Sequence, residues 1–234
     1  MSKRWMMAAV AAMVCAAAPL APVMAAAAPA ADAELAAAAA TVDASDPGKL
    51  IDTAARAMLK QLDAHRADYR KDPARTYVLL DQVLLPHFDT QYAANRVLGT
   101  HRQEASPEQV QRFIKVFYNF LLKTYADRLV DFTGDRLQVN PYRGKPDATS
   151  ATVNTKIRKD DGTLVQVDYS LRKTADGWKA WDVVIEGISA TKSFKEDFDA
   201  EITQKGLDAL IQRLESQGTP ANAGQASAGK GKSS

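Results

Sequence analysis

Gly177-Trp178-Lys179-Ala180-Trp181-Asp182-Val183-Val184-Ile185-Glu186-Gly187-Ile188-Ser189 alternates Trp181, Val183 and Ile185 on one face with Ala180, Asp182, Val184 and Glu186 on the other. Period-two alternation marks a half-buried strand. Thr163 to Lys173, just before it, puts Val165, Val167, Tyr169 and Leu171 on one face, and Ala175-Asp176-Gly177 reads as a three-residue hairpin loop with glycine where φ must be positive. That loop sets Leu171 opposite Trp181, Tyr169 opposite Val183 and Val167 opposite Ile185. Asp160-Asp161-Gly162 repeats the device one hairpin earlier, setting Ile157 opposite Val165, Thr155 opposite Val167 and Val153 opposite Tyr169. A one-residue slip would carry the apolar set to the wrong face. Two turns and three strands therefore agree on a curved antiparallel sheet with one apolar face. Arg136 to Tyr142 adds a first strand, for four in all.

Helices come before the sheet and after it. Asp46-Pro47 pairs an N-cap with proline at the first helical position, and Leu50, Ile51, Ala54, Met58, Leu59 and Leu62 follow at helical spacing to about Ala64. Asp72-Pro73 repeats the start signal for a helix running to Pro86, and a short helix from Asp89 ends at Gly99. Ser106-Pro107-Glu108-Gln109 is a capping box for a helix reaching about Val130. That helix carries one stripe of Val110, Phe113, Ile114, Phe117, Phe120 and Leu121 beside another of Tyr118, Leu122, Tyr125 and Leu129. So wide an apolar arc predicts a helix lying between the sheet and the other helices. Phe194, Phe198 and Ile202, then Leu207, Leu210, Ile211 and Leu214 beyond Gly206, close the chain in helix. The class is α+β, with one sheet face covered by N-terminal helices and a C-terminal helix, an arrangement resembling the nuclear-transport-factor-like cone.

Both ends lie outside this domain. Lys3 and Arg4, an Ala/Met/Val run and Val23-Met24-Ala25 make 1–25 a secretory signal peptide. Cys15, the single cysteine, falls within it, preceded by Val14 rather than the small residue lipidation requires. Cleavage leaves no thiol chemistry, and it leaves basic residues equal in number to the 28 acidic ones. A balanced charge argues against nucleic acid as a partner. The expected division is signal peptide 1–25, flexible Ala-rich linker 26–45, a single domain 46–217 and a disordered tail 218–234.

Catalytic signatures are missing: no glycine-rich phosphate loop, no nucleophile elbow and no metal-ligand spacing. His87 and Asp89 read as a helix junction with Asp89 as cap. Asp168, Asp182 and Glu186 fall on the polar sheet face, where carboxylates make surface pairs. Valines and aromatics under helices make either a packed core or an enclosure for an apolar ligand. Gly187, placed opposite Val165, is either room for such a ligand or a bend.

Several stretches together resemble the MlaC family, periplasmic phospholipid-binding proteins of Gram-negative bacteria also called toluene-tolerance proteins. They are Pro86-His87-Phe88-Asp89, Val97-Leu98-Gly99, Phe113 through Phe117 to Thr124-Tyr125-Ala126, Asp168-Tyr169, Trp178 with Asp182-Val183, Glu186-Gly187-Ile188-Ser189 and Gly206-Leu207-Asp208-Ala209-Leu210. Thr100-His101-Arg102-Gln103 departs from the aromatic pair and arginine that the family often carries there. The resemblance implies a soluble, cofactor-free shuttle that maintains outer-membrane lipid asymmetry. It would carry phospholipid between an outer-membrane lipoprotein–porin complex and an inner-membrane ABC transporter complex with its lipid-binding substrate domain. Two chains of roughly fifteen methylenes, at about 0.8 kcal/mol each, would cost about 24 kcal/mol to expose to water, so deep enclosure is expected. The expected lipid-binding residues are Val153, Val165, Val167, Tyr169, Leu171, Trp181, Val183 and Ile185 of the sheet with Phe113, Phe117, Phe120 and Leu121 of the long helix. Lys192, Lys195 and Arg143 are either contacts near a phosphate or solvated surface charges. An isomerase or dehydratase on the cone-shaped fold and a ligand-free periplasmic adaptor are the rival readings.

Overall fold

The computed structural model describes residues 27–217 apart from 131–132, 134–135, 146 and 160. The expected signal peptide and tail lie outside the described residues. Alanine is the strongest helix former, and the stretch expected to be a flexible linker instead begins with helix α1 (Ala27–Ala39), whose Leu35 and Ala38 are buried. Asp46 then accepts from the backbone N–H groups of Gly48 and Lys49 and starts α2 (Pro47–Lys71). The helix runs past the expected Ala64, through a break at His65. Asp72 caps α3 (Pro73–Val83), and after a 3₁₀ turn at Leu85–His87, Asp89 caps α4 (Thr90–Leu98). A single turn, α5 (His101–Glu104), precedes α6 (Pro107–Val130). The capping box of α6 closes reciprocally, Gln109 N donating to Ser106 Oγ at 3.2 Å and Ser106 N to Gln109 Oε1 at 3.0 Å.

The sheet is an antiparallel meander of β1 (Leu137–Val139), β2 (Ser150–Arg158), β3 (Leu164–Thr174), β4 (Gly177–Ile185) and β5 (Ile188–Ser189), in that order. Among the described residues it has five strands, not the expected four. Glu186 (φ +50) and Gly187 (φ +81) make a two-residue turn that folds Ile188-Ser189 back beside β4. Gly187 is therefore a bend and does not sit opposite Val165. Ser189 caps α7 (Ala190–Lys205), and α8 (Leu207–Gln217) follows Gly206.

The β2–β3 register is the expected one: Ile157 faces Val165, Thr155 faces Val167 and Val153 faces Tyr169. Between β3 and β4, Tyr169–Val183 and Val167–Ile185 hold, but Leu171 faces Ala180 rather than Trp181. The hairpin loop has two residues, since Thr174 pairs with Gly177, and the register shifts between Ser170 and Leu171. Trp181 is the unpaired residue of a β-bulge. Trp178 and Ala180 consequently share the inner face, and both are buried there with Leu50, Ile51, Val153 and Leu171. Asp182 is buried, not on a solvated face. Its carboxylate accepts from the N–H of Val183 at 2.9 Å, the N–H of Thr191 at 2.9 Å and the Ser189 hydroxyl at 2.6 Å. A buried carboxylate with three donors is satisfied, and here it ties β4 to the start of α7.

The helix that lies on the sheet is α2, not α6. Phe113, Phe117 and Phe120 of α6 turn away from the sheet and into a cluster with Phe194 and Phe198 of α7 and the apolar faces of α4 and α8. Phe117 stacks on Phe113 at 5.5 Å and meets Phe194 edge-on at 5.4 Å. Edge-to-face and offset contacts of this kind are what ring quadrupoles favour. The second stripe of α6, Leu122 and Leu129, packs with α1, α2 and α3. So α6 is central, but its two faces serve two helical cores.

Candidate functional site

The sheet and α2 do not close on each other everywhere. Leu50 and Ile51 pack against the sheet, whereas one turn on Ala54 and Ala55 are too small to fill the space, and a cavity of about 280 Å³ opens there. Its other walls are Leu80 of α3, Leu84, Leu85, His87 and Phe88, and Tyr118, Leu121, Leu122 and Leu129 of α6. The sheet contributes Tyr169, Ala180 and Val183. Phe88 is fixed in the wall because the next residue, Asp89, donates its N–H to the carbonyl of Ala180 at 2.7 Å. Asp89 also pairs with Arg172 at 2.5 Å. His87 and Asp89 thus do form a junction with Asp89 as cap, and His87 lines the cavity.

Of the twelve residues expected to bind lipid, three line this cavity: Tyr169, Val183 and Leu121. Val153 and Leu171 are packed beneath α2, and Val167 is 4% exposed without reaching the cavity. Val165 stands towards the far end of the sheet, and Ile185 is 46% exposed there. Trp181 is turned by the bulge towards Tyr92 and Arg96. Phe113, Phe117 and Phe120 belong to the aromatic core. The lining that the sequence reading missed is mostly α2 and the Leu80–Phe88 segment. The apolar stripe of α2 was visible; the signal within it was the pair of small residues Ala54-Ala55 at a level where its neighbours are large.

Three polar side chains reach the lining. Tyr118 donates its hydroxyl to Asp81 at 3.2 Å, and burial together with that carboxylate pushes its phenol up. Burial also pushes up the phenol of Tyr169, with a hydrogen bond to Thr155 acting in the other direction. Burial, with Lys179 nearby, pushes the His87 imidazole down. All three are neutral at pH 7. What such a lining does is take apolar matter out of water.

The direction of the His87 shift makes a prediction. A histidine whose folded pKa lies below its ordinary value of about 6.5 binds fewer protons folded than unfolded. Its contribution to stability is full above that value and is lost as pH falls through the folded pKa. Stability should therefore drop as pH falls below about 6.5, and His87→Gln should remove that part of the drop. Urea midpoints of both proteins across the window measure it.

The family model for MlaC protein matches residues 52–216. The chain belongs to the MlaC family. Among MlaC relatives, the toluene tolerance protein ttg2D of Pseudomonas putida is 27% identical over 169 residues, covering 72% of this chain and 78% of that one. The intermembrane phospholipid transport system binding protein MlaC of Haemophilus influenzae is 23% identical over 174 residues, covering 73% and 81%. A solved phospholipid-binding protein from Ralstonia solanacearum, in complex with a phospholipid, superposes with a TM-score of 0.67 at 25% identity, covering 72% of this chain and 94% of its own. The MlaC match begins inside α2, so α1 lies outside it.

Proposed function

We propose that the protein is a soluble periplasmic carrier that encloses phospholipid acyl chains between its sheet and helices. It moves lipid between an outer-membrane lipoprotein–porin complex and an inner-membrane ABC transporter complex with its lipid-binding substrate domain, and so maintains outer-membrane asymmetry. The observation that carries this reading is an apolar cavity between α2, α6 and β3–β4, in a chain of the MlaC family whose structural neighbour was solved with a phospholipid. Residues 1–25 serve as a cleaved export signal and 46–217 as the lipid-binding domain, its layers following the nuclear-transport-factor-like cone. Among the described residues no helix is long and apolar enough to cross a membrane.

Size bears on mechanism. Taking a methylene at about 30 Å³, the share of a water molecule in the liquid, 280 Å³ holds on the order of nine. Two acyl chains need several times that. Loading therefore requires α2 and the sheet to part, and partner docking acts by favouring the parted state. The walls supply partition rather than bond chemistry.

Native mass spectrometry of protein purified without detergent tests the reading. One phospholipid per chain, released on denaturation and identified after extraction, is the expected result. A bare mass, unchanged after mixing with phospholipid vesicles, would overturn it.

A further inference from the structure

On the other side of β4 from the cavity, between α4 and the start of α7, lies a groove of about 550 Å³. Its floor is Trp181, the bulged residue. Tyr92 holds the indole edge-on at 5.2 Å, and the Arg96 guanidinium lies over the ring 5.6 Å from its centroid. Lys192 and Lys195 complete a rim of three exposed cations, and among the described residues no carboxylate lines the groove. Glu196 lies 3.8 Å from Lys192, and both of those side chains are well exposed. Asp182, beneath, is taken up by Val183, Ser189 and Thr191.

Lys192, in the first turn of α7, opposes the helix dipole, and three like charges around one concavity raise its potential. Tryptophan and arginine are also the side chains that carry binding energy at protein interfaces. A Trp181 already fixed between Tyr92 and Arg96 loses little freedom when covered.

We propose that this groove docks an acidic segment of a partner protein, its carboxylates meeting Arg96, Lys192 and Lys195 and an apolar side chain resting on Trp181. A phosphate is a poorer occupant, because the N–H groups of Thr191 and Lys192 are already held by Asp182 and Ser189. A membrane surface is poorer too: electrostatic lipid recognition takes about four to eight basic residues, and a concave site does not meet a flat array of head groups. The inference does not depend on what fills the cavity.

The test is fluorescence anisotropy of the full chain with a labelled peptide, Asp-Leu-Glu-Asp-Leu-Glu, and its neutral counterpart, Asn-Leu-Gln-Asn-Leu-Gln. The acidic peptide should bind, the neutral one at least about tenfold more weakly, and added salt should weaken only the acidic one. The double variant Arg96→Glu, Lys195→Glu should lose at least about tenfold in affinity with circular dichroism and bound-lipid content unchanged. If that variant misfolds, Lys192→Gln with Lys195→Gln should give about a threefold loss. No binding of the acidic peptide, equal binding of the neutral one, or binding unaffected by these variants overturns the proposal. So does failure to bind peptide alongside binding to phosphatidylglycerol vesicles that the charge reversal abolishes.

Discussion

Val183→Arg should leave the protein folded and strip it of phospholipid. Val183 stands on β4 opposite Tyr169, lines the cavity and is partly accessible. An arginine there has a route for its charge: the stem lies along apolar wall while the guanidinium reaches water at the mouth. An unpaired charge in the apolar interior would be far costlier. The stem therefore occupies much of a space of about 280 Å³, and an entering acyl chain would have to bury the guanidinium. Recovered phospholipid per chain should fall at least about tenfold, with the melting temperature within a few degrees of the parent. Lipid extraction and quantitation make the comparison. A fully loaded Val183→Arg protein would mean that lipid sits elsewhere.

Phe117→Ala should do the reverse, lowering stability sharply while lipid per folded chain stays the same. Phe117 is 4% exposed and has four rings around it, with centroids at 5.5 Å to Phe113, 6.3 Å to Phe120, 5.4 Å to Phe194 and 6.0 Å to Phe198. Truncating a buried phenylalanine costs about 3–5 kcal/mol, because the hole it leaves closes only in part. In a chain of this size each kcal/mol shifts the midpoint by about 2–4 °C, giving a loss of about 6–20 °C. Thermal melts and extracted lipid, measured on the same preparations, separate a core residue from a binding one. A lipid content that falls with no loss of stability would return Phe117 to the binding site.

The two variants also mark how far the sequence could be read. Helix starts were legible because a cap is local chemistry: Asp46-Pro47, Asp72-Pro73 and Ser106 with Gln109 satisfy backbone donors within a few residues of themselves. The β2–β3 register was legible for the same reason, one turn and an alternating pattern on each side. The two stripes of α6 were visible, but a stripe does not name its neighbour. That Phe117 faces Phe194 rather than Val167 is decided by how distant segments pack. The family was legible because its motifs keep their order along the chain, whatever each of them packs against. The cavity was least legible, since it is made by what is too small to meet, Ala54, Ala55 and Ala180, and periodicity counts large residues. Within the expected linker, 27–39 was misjudged because low complexity resembles a linker even where alanine, with Leu35 as its anchor, makes a helix.

The bulge at Trp181 couples two lengths that a sequence alignment would treat as independent. The hairpin loop is one residue shorter than the glycine pattern suggests, and the bulge restores that residue within β4. Losing the residue at 181 while gaining one in the loop would preserve chain length and every pairing beyond Asp182. It would also keep Ala180 opposite Leu171 and lengthen the hairpin loop to three residues. Such a pair of compensating single-residue changes would take the indole out of the groove between α4 and α7 and leave the alanine of the cavity wall where it is, so the fold can alter one side of β4 without remaking the other.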